Sequence, residues 1–316
     1  MRPEAEKGIR VKSALSRTGG TLASFTHSLQ PYIGCSFGHG CGVYCYVPFL
    51  PIHRYRSEGY AWGDYVWYKE NVATLLRDEL RRFAHRSALD TLRIFMSSAT
   101  DPYQPAEGKL RLARACLQAL VDYPPGLLVV QTRSPIVVDD FDLLRQLGPR
   151  AWLSMTVETD DEAVRRTLTP GVPSIRRRKE TVETAAATGI QTQVTVAPFL
   201  ALRAPERFAA WLDAHAERVL VDTFTSGDGG RGGRTARSRL PAAYREAGLG
   251  NWQDEAAAIA FHDLLVQRLG SARVGWSSTG FNALPSVGSS PAEMPQQPSL
   301  FSERATPAGN VRDDDE

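Results

Sequence analysis

Leu127-Leu128-Val129-Val130-Gln131, then Phe141 to Leu147, then Ala151-Trp152-Leu153-Ser154-Met155-Thr156-Val157: a short apolar run, a stretch with helical spacing, and a second apolar run. The runs are bounded by polar or turn residues, as buried strands are, and the stretch between them repeats apolar residues at the spacing of a helix. The same alternation extends both ways. Leu92-Arg93-Ile94-Phe95-Met96 precedes it, and Gln193-Val194-Thr195-Val196-Ala197 and Val219-Leu220-Val221-Asp222 follow. Helical stretches at Val72 to Phe83, Leu110 to Leu120, Arg177 to Ala187 and Phe208 to His215 separate these runs. Strand then helix, repeated, predicts parallel strands joined by right-handed crossovers. With a first strand at Phe25 to Ile33 the count reaches about six βα units, which fits both a flat doubly wound sheet and an open or partial barrel.

In either architecture chemistry gathers beyond the carboxyl ends of the strands. The residues there are polar where the runs are apolar: Ser97-Ser98-Ala99-Thr100-Asp101, Thr132-Arg133-Ser134, Glu158-Thr159 and Pro198-Phe199. A cysteine-rich loop, Cys35-Ser-Phe-Gly-His-Gly-Cys41-Gly-Val-Tyr-Cys45, follows the first expected strand and should face the same mouth.

Composition narrows the class. The chain has 316 residues, 42% hydrophobic and 23% charged, enough to bury a sizeable core. It has no apolar run long enough to span a membrane, and the opening Met1-Arg2-Pro3-Glu4-Ala5-Glu6-Lys7 lacks the apolar stretch of a secretory signal, so a cytoplasmic location is expected. Residues 1–24 read as an N-terminal arm, 25–281 as one barrel domain with a C-terminal extension, and 282–316 as a disordered acidic tail rich in Pro and Ser. The formal net charge is +2, but residues 1–281 alone hold 35 basic against 29 acidic side chains, a +6 body that can accept a phosphate-bearing substrate.

Four cysteines are too few for a disulfide framework, and Cys35, Cys41 and Cys45 crowd into eleven positions, a pattern of metal or redox chemistry in a reducing compartment. Three thiolates can ligate three irons of a 4Fe-4S cluster and leave the fourth open to a chelating small molecule. His39 could instead complete a Cys3His zinc set, although four ligands on one short loop wrap awkwardly around a tetrahedral ion. Cys116 lies in a helical pattern and reads as a buried small hydrophobe. Two basic segments remain, Arg176-Arg177-Arg178-Lys179 and the glycine-rich loop carrying Arg231, Arg234, Arg237 and Arg239. They fit either a mobile phosphate clamp or plain solvated faces.

Leu29-Gln30-Pro31-Tyr32-Ile33-Gly34-Cys35 leading into Cys41-Gly42-Val43-Tyr44-Cys45-Tyr46 resembles the cluster loop of radical S-adenosylmethionine (SAM) enzymes of the spore photoproduct lyase-like family. Val66-Trp67-Tyr68-Lys69-Glu70-Asn71, the segment from Ser98 to Glu107, Gln131-Thr132-Arg133-Ser134-Pro135 and Pro170-Gly171-Val172-Pro173-Ser174 extend the resemblance over roughly residues 11 to 200. It departs in one place, since the family's C-x3-C-x2-C is here C-x5-C-x3-C, and a glycine-rich insertion of this kind is expected to bulge outward.

The resemblance implies an α/β fold, a partial (β/α)6 TIM-like barrel, with a 4Fe-4S cluster on Cys35, Cys41 and Cys45 and SAM at the open iron. It implies reductive cleavage of SAM to a 5′-deoxyadenosyl radical, driven by a one-electron reductant of flavodoxin or ferredoxin type. A nucleic-acid lesion or base is the first candidate substrate, a peptide or small metabolite the second. Tyr44 and Tyr46 match the family's catalytic tyrosines, Tyr44 also packing near the adenine. Ser98, Thr100, Asp101, Arg133, Thr156 and Glu158 are the remaining candidates for cofactor contact: Arg133 for the methionine carboxylate, the hydroxyls and Glu158 for ribose or ammonium. Asp101 and Glu158 are equally compatible with loop-holding roles. Ser98 stands where true lyases carry a hydrogen-returning cysteine, and its O–H bond is too strong for that task, so the lyase reaction itself is not expected. The rival reading is a noncatalytic nucleic-acid-binding protein with a structural zinc or iron-sulfur site.

Overall fold

A computed structural model describes residues 3–284. Along the chain the strands are β1 (Ala5–Ile9), β2 (Leu15–Arg17), β3 (His27–Leu29), β4 (Tyr32–Gly34), β5 (Tyr65–Lys69), β6 (Arg93–Met96), β7 (Leu127–Thr132), β8 (Ala151–Thr156), β9 (Gln191–Val196), β10 (Arg218–Val221) and β11 (Val274–Trp276). Eight of them form one sheet in the order β11-β10-β9-β8-β7-β6-β3-β2, parallel from β3 through β11, with β2 antiparallel at the edge. The five apolar runs that suggested strands are β6 to β10, within two residues at each end. The fold is a mixed α/β fold on a parallel sheet.

Strand order never reverses between β3 and β11, so there is no switch point of the doubly wound kind. While the helices Phe224–Gly227 and Leu240–Glu246 pack with the cysteine loop, right-handed crossovers in a single direction put the longer connecting helices on one face of the sheet. That face is apolar. Ile94, Met96, Leu128, Val130, Leu153, Met155, Val194, Val196, Val219 and Val221 form one buried cluster with Leu76, Leu117, Leu144, Val182, Leu212 and Leu265 from the helices. Each such side chain removed from water contributes about 1.5–3 kcal/mol, so this layer holds the fold together. Cys116 lies fully buried within it.

The other face alternates with the first at the two-residue period of a strand. Its lower part is apolar, with Phe25, Phe95, Leu127, Val129, Trp152 and Leu284 in a second cluster. Above it the positions are polar: Gln131 on β7, Ser154 and Thr156 on β8, Gln193 and Thr195 on β9. These side chains bond to one another across the strands. Gln193 Nε2 donates to Ser154 Oγ at 2.9 Å, Ser154 and Thr195 share a bond at 2.7 Å, Thr195 donates to Gln131 Oε1 at 3.3 Å, and Gln131 Nε2 donates to Thr156 Oγ1 at 2.7 Å.

The two ends of the strand row are brought together beyond the sheet. The helix Ser277–Asn282, which follows β11, meets the turn Gly20–Leu22 that precedes β3. Asn282 Oδ1 accepts from Ser24 N at 3.0 Å, and the Phe281 and Phe25 rings contact Phe95 with centroids at 6.1 and 5.1 Å.

Three boundaries differ from the sequence expectation. Residues 1–24, expected as an arm, contribute β1, which pairs with β5, and β2, which pairs with β3. Both strands are short and half exposed, so backbone ladders rather than an apolar pattern define them. The single first strand expected at 25–33 is two, because Pro31 has no N–H for a continuous ladder. Its first half, β3, joins the large sheet, and its second half, β4, joins a small sheet of order β1-β5-β4. Of the tail expected from 282, Asn282 ends the helix Ser277–Asn282, Ala283 and Leu284 are buried, and the Leu284 carbonyl accepts from Arg93 at 2.9 Å. The rest of that expected tail lies outside the described residues. Among the described residues no helix is long and apolar enough to cross a membrane.

Candidate functional site

The small sheet delivers the cysteine loop. β4 ends at Gly34, whose φ of +81° lets the chain turn directly into Cys35 while the Tyr65 ring lies against its Cα. Gln104, fully buried, braces the backbone on both sides of Cys35. Its Nε2 donates to the Gly34 carbonyl at 3.5 Å and to Thr100 Oγ1 at 3.2 Å, while its Oε1 accepts from Ser36 N at 2.9 Å. Thr100 Oγ1 donates to the same Gly34 carbonyl at 2.6 Å. One helical turn, Gly38–Cys41, follows, and Cys45 N donates to the Cys41 carbonyl at 3.0 Å, so the second and third thiols are one turn apart.

The longer cysteine spacing does not make the loop bulge outward. Ser36, Phe37, Gly38 and Gly40 are buried and only His39 is exposed. The insertion packs inward because glycine meets glycine: a Cβ on Gly40 would stand 2.8 Å from the Gly171 backbone, and one on Gly38 would stand 2.6 Å from the Gly63 backbone. His39 is bonded to Asp64 instead of joining the thiols. Among the described residues no three His, Cys, Asp or Glu side chains converge on a site for one metal ion.

The thiols influence one another strongly. Burial, then the neighbouring Cys41, pushes Cys35 up to about 12. A hydrogen bond from Cys45 brings Cys41 down to about 7, and the same bond raises Cys45 well above the usual thiol value. Positive charge shared among the three sulfurs, as a cation or cluster supplies, favours their ionising together.

A cavity of about 260 Å3 lies beside the loop at the polar face of the sheet. Of the candidate residues, Cys41, Tyr44, Cys45, Tyr46, Ser98 and Thr156 line it. Tyr46 Oη donates to the Ser98 carbonyl at 3.3 Å, and Ser98 Oγ accepts from Gln30 Nε2 at 2.8 Å. Cys35, Thr100, Asp101, Arg133 and Glu158 are not among its lining residues. Asp101 accepts from Tyr103 N at 2.8 Å, from Thr132 Oγ1 at 2.7 Å and from Arg133 N at 3.0 Å, so both its oxygens are committed to joining the end of β6 to the end of β7. Burial raises its pKa.

Glu158, fully buried just beyond β8, is the centre of a charged cluster. Arg133 Nη1 donates to its Oε1 at 2.8 Å, Tyr44 Oη donates to the same oxygen at 3.0 Å, and Arg178 Nη1 donates to Oε2. Arg178 also donates to the Thr156 carbonyl at 2.9 Å. Burial alone would raise Glu158, but Arg178 and then Arg133 outweigh it and hold the carboxyl at about 2. Tyr44 is driven well above its ordinary value by burial and by the Glu158 charge.

Several site residues carry no motif. Arg178 belonged to a run expected as a clamp or a solvated face, and the structure disperses that run. Arg178 is fully buried, Arg176 pairs with Glu180 at 2.6 Å in solvent, and Lys179 lies over Phe208 and Trp211 at 4.9 and 4.6 Å. Its signal was its place on the helix Ile175–Ala187, where Ile175, Arg178, Val182 and Ala185 share the buried face. Ser97, read only as one of the polar strand-end residues, and Asp222, read only as the end of a strand run, were given no site role. Ser97 lines the cavity with a left-handed φ of +75°, and its buried Oγ has no partner. Asp222 lines it at the end of β10 and is pushed up to about 7 by burial, with Glu255 and Asp228 adding to the shift. The polar position ending each alternating strand was the available clue. The Gly/Arg loop, compatible in sequence with a mobile clamp or a solvated loop, is folded around Asp228, whose carboxylate accepts from the backbone N–H groups of Gly230, Gly232, Arg234 and Thr235 at 2.6 to 3.0 Å.

No family model matches the chain. In sequence it is similar to an uncharacterized protein of Mycobacterium tuberculosis, 30% identical over 197 residues that make up 61% of this chain and 55% of that protein. It is also similar to one of Methanocaldococcus jannaschii, 26% identical over 192 residues, 61% of this chain and 66% of that protein. The chain thus spans little more than half the length of the mycobacterial relative. In structure it is similar to spore photoproduct lyase. One variant of that enzyme with dinucleoside spore photoproduct matches at a TM-score of 0.59 and 14% identity, covering 86% of this chain and 81% of the other. A second variant, with bound AdoMet and the dinucleoside, matches at 0.56 and 15% over the same shares. At these identities the likeness is one of fold.

Two outcomes are expected. Arg178→Met leaves Glu158 short of a counter-charge and costs about 3–5 kcal/mol in denaturant unfolding, and adding Glu158→Gln recovers a measurable part of that loss. The folded-state pKa of Asp222 is raised, so the stability it contributes is fully present below the unfolded value and is lost as pH rises to about 7. Asp222→Asn removes that loss: its Tm tracks the parent below about pH 4, and exceeds it by a margin that grows between about pH 4 and pH 7 and reaches several degrees by about pH 8.

Proposed function

We propose that this chain is a radical SAM enzyme in which Cys35, Cys41 and Cys45 hold a 4Fe-4S cluster. The observation that carries the reading is the gathering of three largely buried thiols on one loop, with Cys41 and Cys45 in the wall of a cavity lined both by polar strand-end residues and by apolar ones such as Phe95, Phe224 and Phe281. When bound, the cluster supplies the electron that cleaves SAM reductively and so yields the 5′-deoxyadenosyl radical that takes hydrogen from substrate. The consecutive parallel order of β3 to β11, with its ends joined through Ser24 and Asn282, supports treating the sheet as a partial barrel around this cavity.

The protein residues divide between contact and framework. Tyr44, Tyr46, Ser98 and Thr156 border the cavity and are assigned to SAM or substrate, together with Ser97, whose unpartnered buried hydroxyl fits an absent ligand. Thr100 and Asp101 give their polar atoms to the protein and are assigned to holding the cysteine loop and the β7 end. Arg133 and Glu158 fix the Tyr44 hydroxyl from behind and are assigned to positioning it. For substrate we favour a nucleic-acid base or lesion. Arg234 lines the cavity, Arg231, Arg237 and Arg239 are exposed on the same loop, and the fold is that of an enzyme whose structures hold a dinucleoside lesion.

Anaerobic reconstitution with iron, sulfide and dithionite tests the reading. A 4Fe-4S signal by EPR and 5′-deoxyadenosine formed from SAM are expected, and single Cys→Ala changes at 35, 41 or 45 should lower the product about a hundredfold or more while far-UV CD stays native. Stoichiometric zinc without cluster uptake, or a cluster that never cleaves SAM, would remove it.

A further inference from the structure

Beside the cysteine loop the small sheet carries aromatic residues that continue from the buried cysteine side to solvent. Tyr65 lies against Gly34, next to Cys35, and is fully buried. Its ring is 5.2 Å from Trp67, and Trp67 is 5.8 Å from Tyr60, which is 38% exposed. A side branch runs from Tyr65 to His53, stacked at 5.7 Å, and on to Trp62 at 5.6 Å.

The helix Pro51–Arg56 is fastened onto this series at two points. His53 Nδ1 and Tyr65 Oη are bonded at 2.9 Å, and Trp67 Nε1 donates to the Arg56 carbonyl at 2.6 Å. Outward, the helix presents exposed Arg54 and Arg56, with Tyr55 77% exposed between them. No ion pair engages either arginine among the described residues. Two nearby carboxylates are already matched: Glu58 pairs with Lys7 at 2.6 Å, and Asp64 is bonded to His39. The aromatic series thus ends at a surface where two arginines outside any ion pair among the described residues flank an exposed tyrosine.

We propose that the helix Pro51–Arg56 and the adjoining edge of the small sheet are the docking face for an acidic one-electron carrier protein, with Tyr60, Trp67 and Tyr65 forming the aromatic path from that face to the cysteine loop. The inference rests on the proposed function, which requires one electron per turnover. No bond is made or broken in the step: the carrier is oxidised by one electron and the group held by Cys35, Cys41 and Cys45 is reduced by one. Tunnelling falls off steeply with distance, so a donor must dock where the route inward is short and continuous. Arg54 and Arg56 select a partner with an acidic rim and steer its approach, and Tyr55 and Tyr60 offer it amphipathic contact area.

The test uses the full chain and a bacterial flavodoxin as the acidic carrier. In calorimetric titration, R54E/R56E should weaken flavodoxin binding about tenfold or more and flatten its salt dependence. In stopped flow with the reconstituted protein, flavodoxin-driven reduction should slow by a similar factor, while reduction by dithionite, which needs no docking, stays at the parental rate. Tyr60→Leu should keep most of the affinity and still slow reduction by flavodoxin. Parental binding and parental flavodoxin rates in R54E/R56E would overturn the proposal, as would loss of binding in R237E/R239E instead. The titration needs no bound cluster, so a chain that binds flavodoxin through Arg54 and Arg56 but takes up no cluster would defeat only the proposed function.

Discussion

A carboxylate with no access to water, Glu158, is the constraint on which the site depends. Removing an ion from water costs several kcal/mol even after relaxation, and that cost is tolerable only when opposite charge and hydrogen bonds surround it. Arg178 approaches one oxygen, Arg133 and Tyr44 the other. These four residues come from the helix Ile175–Ala187, the end of β7, the cysteine loop and the end of β8. Their joint satisfaction therefore sets where Tyr44 stands, and with it the turn that carries Cys41 and Cys45.

From the opposite side the cysteine loop is held by backbone contact. Gly40 against Gly171 and Gly38 against Gly63 leave no room for a Cβ, and Gln104 ties the chain on both sides of Cys35. The loop is thus clamped between a buried ion cluster and two glycine contacts, with the small sheet feeding into it. Placement of this kind is what the proposed function asks of the loop, since pre-set ligands hold a bound group without rearrangement.

Much of the architecture was legible because parallel strands and their helices announce themselves locally. Runs such as Leu127 to Gln131 and Ala151 to Val157 are apolar whatever they pair with, and the helices between them repeat at their own period. The choice between a doubly wound sheet and a singly wound one was not legible in these runs and came only with the strand order from β3 to β11, which never reverses. β1, β2 and the split of the first strand were not legible. Short half-exposed strands have no apolar period, and their existence depends on which edge lies free to receive them.

The sequence by itself determined the strand-helix alternation, the crowding of Cys35, Cys41 and Cys45, and the polar character of the strand ends, because each is a property of neighbours along the chain. Only the tertiary structure decided that Arg178 turns inward to Glu158, that Asp101 and Thr100 hold the frame while Ser97 and Asp222 line the cavity, and that the extra loop residues pack inward on Gly171. Those outcomes turn on charge compensation and steric fit between segments far apart in sequence, and the energy of a buried charge or an excluded Cβ exists only once the partner segment is in place.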